Sequence, residues 1–114
     1  MNAPRTPSGL RAPGRKLWEA IAGEYELAEH ELAQLEEACR VRDRITQLRT
    51  QVDGDGLMIS SSQGARLHPG VAEERAQRLA LARLLATLAG PGLEEDALPP
   101  SRGVRGVYGL RSAS

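Results

Sequence analysis

The chain has 114 residues, 15 acidic against 15 basic side chains, 3% aromatic residues and no phenylalanine. That length suits one small domain, and the core has to be built from Leu, Ile, Val and Ala, a composition suited to helix packing. The one cysteine, Cys39, excludes an internal disulfide and reads as a small core residue, and no apolar run is long enough to span a membrane.

Residues 1–14 carry Arg5 and Arg11, with Arg15 and Lys16 just beyond, and no acid; Pro4, Pro7, Pro13, Gly9 and Gly14 lie among them. This composition predicts a disordered basic arm. A first helix is expected over about residues 15–25, where Leu17, Trp18, Ile21, Ala22 and Tyr25 recur at helical spacing. Such a short helix needs packing to persist, so Trp18 and Tyr25 read as core rather than ligand-stacking residues. Leu27 and Ala28 mark a break, and Ala28 stands where a capping Ser, Thr or Asp would be expected.

A long central helix is expected over about residues 29–52. Its first half aligns Ala28, Leu32, Leu35 and Cys39, and its second half aligns Ala38, Val41, Ile45, Leu48 and Val52 on a stripe rotated by about 100°. One helix then faces two neighbours, the first helix on one stripe and either the third helix or another subunit on the other. Charge is blocked as well. Glu19, Glu24, Glu26, Glu29, Glu31, Glu36 and Glu37 occur with no Lys or Arg between them, and Arg40, Arg42, Arg44 and Arg49 follow against only Asp43. Glu36, Arg40 and Arg44 stand at i, i+4 spacing, which fits either a salt-bridged surface or a phosphate-facing row.

Asp53-Gly54-Asp55-Gly56 ends the helix. It is not a calcium loop, because the twelfth position falls on Gly64 instead of a glutamate. Leu57-Met58-Ile59 and Ala65-Arg66-Leu67-His68 flank the polar Ser60–Gly64 stretch, so a β-hairpin is expected over about residues 57–68. An isolated hairpin is marginal in water and has to lie against helices or pair with a neighbour.

The third helix starts at His68-Pro69 and stops at Gly90-Pro91-Gly92. In it Leu79 points one way, while Leu81, Leu84 and Leu88 cluster nearly opposite with Leu85 beside them. A helix apolar most of the way round needs cover most of the way round, and other copies of the chain are the expected source. The expected oligomer interface is Ile45, Leu48, Val52, Leu79, Leu81, Leu84, Leu85 and Leu88, within a helical core over residues 15–90. Residues 91–114 read as a flexible tail with Arg102, Arg105, Arg111 and an apolar Val107-Tyr108-Gly109-Leu110 cluster.

Catalytic chemistry is not legible. The chain lacks a Gly-x-x-x-x-Gly-Lys-Ser/Thr phosphate loop; His30, Cys39 and His68 are too scattered to suggest zinc, and no Cys-x-x-Cys occurs. Glu36-Glu37 and Glu73-Glu74 are adjacent on helices and diverge, and Ser60, Ser61 and Ser62 have no recognisable base partner. A binding or assembly protein is expected rather than an enzyme, with no cofactor, metal or small-molecule substrate.

Leu17-Trp18, Tyr25-Glu26-Leu27, Glu29-His30-Glu31-Leu32, Leu35 to Arg40, Ser62-Gln63-Gly64, Arg66-Leu67-His68-Pro69 and Arg78 to Leu85 follow one another in an order that resembles small terminase subunits of tailed bacteriophages. Gly106-Val107-Tyr108-Gly109-Leu110 is similar to tails in members from phages of actinobacteria. The resemblance implies a mainly α ring-forming oligomer in the host cytoplasm. Such a ring binds double-stranded viral DNA and brings it to a separate large subunit that carries the ATPase and nuclease. Many members begin with a helix-turn-helix domain, for which there is no room before the central helix. DNA contact is therefore expected first from Arg5, Arg11, Arg15, Lys16, Arg102, Arg105 and Arg111, and second from Arg40, Arg42, Arg44 and Arg49. Val107, Tyr108 and Leu110 are expected to dock on the large subunit or a neighbouring protomer. A small helical DNA-binding regulator or antitoxin-like dimer, and an adaptor that binds only protein through the acidic segment, are the alternative readings.

Overall fold

The computed structural model describes residues 3–89, which form α1 (Ala12–Ala22), α2 (Glu29–Asp55), β1 (Met58–Ser61), β2 (Gly64–Leu67) and α3 (Pro69–Ala89). The mainly helical architecture with one small hairpin follows the sequence expectation. No helix among the described residues is long and apolar enough to cross a membrane.

The central helix α2 meets both neighbours, but not one on each half as its two stripes suggest: α3 runs along both halves, and α1 reaches as far as Asp43 in the second. Leu35 and Cys39 join Leu10, Trp18, Ala22 and Leu88 in one buried cluster, with Leu17, Ile21, Leu27 and Leu32 packed against it. On the second stripe, Ile45 is fully buried and Val52 is 5% exposed. Helix α3 runs antiparallel along α2, from Gly70 against Val52 to Leu84, whose carbonyl accepts a hydrogen bond from Gln34 Nε2. Gly70, Glu74, Leu84 and Leu88 of α3 contact α2, and with positions 77 and 81 between them they follow the 4-3-4-3-4 spacing of two helices crossing at a shallow angle.

Two glycines set the close approaches. A Cβ on Gly14 would lie 2.6 Å from Asp43 Oδ2 and 2.7 Å from the Cys39 carbonyl oxygen, so α1 meets α2 there almost backbone to backbone. A Cβ on Gly70 would come within 2.9 Å of Val52 Cγ2.

Helix α1 begins earlier than its apolar spacing indicates, at Ala12 rather than about residue 15, and ends at Ala22 rather than about residue 25. Asp43 of α2 supplies the missing start signal. Its Oδ2 accepts the Arg11 N–H and its Oδ1 the Gly14 N–H, both at 2.7 Å, so a carboxylate 29 to 32 residues away caps the helix. Pro13 suits this first turn because its absent N–H would have had no partner. The arm boundary at residue 14 is thereby corrected: Leu10 is 6% exposed inside the core cluster and residues 12–14 are helical. Tyr25 lies beyond the helix yet is buried, and its N–H donates to the Ile21 carbonyl.

The start of α2, which Ala28 cannot cap with its own side chain, is closed by Glu31, whose Oε1 accepts the Ala28 N–H at 2.7 Å. Its end runs through Asp55 to Gly56, whose φ of +93° is the left-handed region that glycine enters at no steric cost. The hairpin then pairs Met58 with Leu67, Ile59 with Arg66, Ser60 with Ala65 and Ser61 with Gly64 around a Ser62-Gln63 loop. It stands largely clear of the helices: every residue of β2 is exposed, and in β1 only Ile59 is half-buried.

Asp43→Ala should lower the unfolding free energy by about 1–2 kcal/mol, the usual loss for a helix cap, with Asp43→Asn losing less because the amide oxygen still accepts. Urea unfolding followed by circular dichroism checks this, and an Asp43→Ala midpoint equal to wild type would remove Asp43 from the cap.

Candidate nucleic-acid interface

Capping by Asp43 has an electrostatic consequence. The one acid within the run Arg40, Arg42, Arg44 and Arg49 is turned onto backbone N–H groups at the start of α1, and of the cations flanking it Arg42 and Arg44 have no acidic partner among the described residues. Within one turn of Asp43 on α2 lie Arg40, Arg42 and Arg44; within one turn of Gly14 lie Arg11, just before α1, and Arg15 and Lys16 on it. Two sets of basic residues that look separate in the sequence are therefore both carried close to the point where α1 meets α2.

The chain preceding α1 completes this basic belt. Arg40 Nη2 donates to the Ser8 carbonyl at 3.4 Å, and Gly9, with a φ of +89°, lets the backbone turn over the Arg40 guanidinium. Arg15 Nη1 donates to the Leu10 carbonyl at 2.8 Å, and Arg40 is also paired with Glu36. Arg5, Arg11, Lys16 and Arg42 have no ion-pair partner among the described residues, and all except the half-buried Arg42 are exposed. Arg44 is exposed and donates to Gln47 Oε1 at 2.9 Å. Exposed cations on a fixed helical crossing can neutralise several phosphates at once, with strength set by ionic strength rather than base identity.

Arg49 departs from the group. Its Nε and Nη2 both reach Glu74 Oε2 at 3.2 Å, and Arg78 Nη1 reaches the same oxygen at 2.6 Å. Arg49 thus joins α2 to α3 and lies outside the belt. Arg102, Arg105 and Arg111, with Val107, Tyr108 and Leu110, lie outside the described residues.

The expected interface leucines also separate. Ile45, Val52 and Leu88 are buried inside the single chain, a correction to their placement between subunits: they fill the α2–α3 seam and the main core. Leu48, Leu81, Leu84 and Leu85 are half-buried. Leu79 is 54% exposed and points away from the seam, and the hairpin adds exposed Leu57, Met58 and Leu67. Met58 and Leu67 are cross-strand partners and so share one face of the ladder.

Two further titratable groups, Cys39 and His68, are held inside the fold. Burial pushes the Cys39 thiol up to about 12, with Asp43 and Glu36 adding to the shift, so it stays protonated and unreactive at neutral pH. No group of three or more metal-ligating side chains occurs among the described residues. His68, read in the sequence as the junction of hairpin and third helix and as too isolated to suggest a zinc ligand, is 9% exposed and hydrogen-bonded through both ring nitrogens. No family model, curated protein or solved structure matches the chain.

Replacing Arg11, Lys16 and Arg42 together by alanine should flatten the slope of log affinity for duplex DNA against log salt by about 0.9 for each phosphate that is no longer neutralised. Arg49→Ala should leave that slope unchanged and lower stability instead. Fluorescence anisotropy across a salt series checks both, and an unaltered slope in the triple variant would move the DNA-binding surface off the belt.

Proposed function

We propose that the chain is a small terminase subunit that binds double-stranded viral DNA as a homo-oligomer and delivers it to a large subunit with ATPase and nuclease activity. The observation that supports this reading is that the basic N-terminal segment and the arginines of α2 are brought together around Asp43, an acid already engaged by backbone N–H groups. The order of motifs along the chain supports the terminase assignment, and the proposed setting is the host cytoplasm.

The exposed apolar side chains support self-association. Leu79, Leu57, Met58 and Leu67 are each more than half exposed, and a hairpin this short gains little stability from its own strands. A neighbouring copy that covers them would remove that surface from water. In this reading DNA is engaged through phosphates without base readout, and the belts of successive copies add their charge around a ring. The tail residues Val107, Tyr108 and Leu110 remain the proposed contact to the large subunit.

Native mass spectrometry of the whole chain, with and without duplex DNA, tests this reading. A closed assembly of several subunits that retains DNA at low salt is expected, and a Leu79→Glu variant should dissociate while keeping the wild-type helical circular dichroism spectrum. A monomer or dimer at micromolar concentration would contradict the ring, and an assembly that fails to retain DNA would favour the protein-only adaptor.

A further inference from the structure

Three elements converge on His68. Its backbone N–H donates to the Leu57 carbonyl at 2.6 Å, closing the base of the hairpin, and its carbonyl accepts the Val71 N–H at 3.0 Å. Its ring lies between the two helices: Nε2 is 2.9 Å from Asp55 Oδ2 at the end of α2, and Nδ1 accepts the Gly70 N–H at 2.9 Å in the first turn of α3. The Gly70 N–H can only donate, so Nδ1 carries a lone pair and the ring proton sits on Nε2, directed at Asp55. His68 in this neutral form caps α3 as a Ser or Asn would.

We infer that His68 is a proton-operated latch: when Nδ1 takes a proton from water, the cap on α3 is lost and the hairpin joint loosens. The physical reason is a change of role at one atom. A protonated Nδ1 is a donor facing the Gly70 donor, and its positive charge stands at the positive end of the α3 dipole in a site that is largely closed to solvent. The charged groups nearest the joint along the converging elements are Arg49, Asp53 and Asp55 of α2, Arg66 of β2, and Glu73, Glu74, Arg75 and Arg78 of α3. Glu74 is taken up by Arg49 and Arg78, and Glu73 accepts from Gln77. Asp55 is the one in hydrogen-bond contact with the ring and rewards the imidazolium, but it does so through Nε2, where a proton is already present. It therefore leaves the clash at Nδ1 unrelieved. Hydrogen bonds from Gln51 first and His68 second hold the Asp55 carboxyl below the usual carboxylate range, so Asp55 stays ionised at neutral pH and below. The latch acts at the joint that carries Leu57, Met58 and Leu67, so its release alters how that apolar face is presented.

The test is amide exchange at Gly70 and Val71 in the full chain, read by NMR from about pH 8 to about pH 5, the range in which histidine charge changes, alongside the ¹⁵N shifts of the His68 ring. Expected are an Nε2–H tautomer at the upper end and, as the ring titrates, a loss of Gly70 protection of about tenfold relative to the unstructured rate, the size of one cap. His68→Asn should keep Gly70 protected at both ends of the range, because its side-chain oxygen caps without titrating. Asp55→Asn should keep the pH response. An Nδ1–H tautomer at the upper end, a ring that does not titrate over the range, or titration with unchanged Gly70 protection would each overturn the latch.

Discussion

The hydrogen bonds from Arg11 and Gly14 to the carboxylate of Asp43 are the constraint on which the remaining arrangement depends. A helix of 11 residues is too short to hold itself, and α1 has neither a side-chain cap of its own nor an acid in its first turn. Asp43 supplies both the acceptor and the negative charge that the α1 N-terminus favours. Gly14 makes this possible by leaving no Cβ between the two backbones. With α1 held there, Leu10, Trp18 and Ala22 are carried onto Leu35 and Cys39, and the core closes.

The same contact organises the charge. An aspartate directed outward among arginines would lower their attraction for phosphate; one directed at backbone N–H groups has its charge partly offset by the positive end of α1. Stability and the proposed binding surface thus meet at one side chain. At the far end of α2 the helices are instead joined by Arg49 with Glu74 and by the His68 ring. The hairpin beyond carries the exposed Leu57, Met58 and Leu67, which separates the proposed contact between copies from the basic belt.

Much of the fold was legible because its signals are local. The two stripes of α2, the glycine at its end, the proline opening α3 and the outlying direction of Leu79 each depend on residues a few positions apart. What escaped depends on distant partners. The true start of α1 is set by Asp43, and the burial of Leu10 depends on α1 first being placed, so composition alone read this segment as a disordered arm. Arg49 looked like its neighbours until α3 brought Glu74 against it. Ile45, Val52 and Leu88 were placed between subunits because an apolar stripe does not reveal which chain covers it. A single acid in a run of arginines was the one sequence signal for the cap at α1.

The most direct measurement is the affinity of Asp43→Ala for duplex DNA at moderate salt, under conditions where the variant remains folded. Removing an acid from a basic surface should tighten binding if Asp43 only dilutes the charge around it. If the belt exists because Asp43 holds α1 across α2, binding should weaken despite the gain in net positive charge. Weaker binding is the expected result; equal or tighter binding would contradict it.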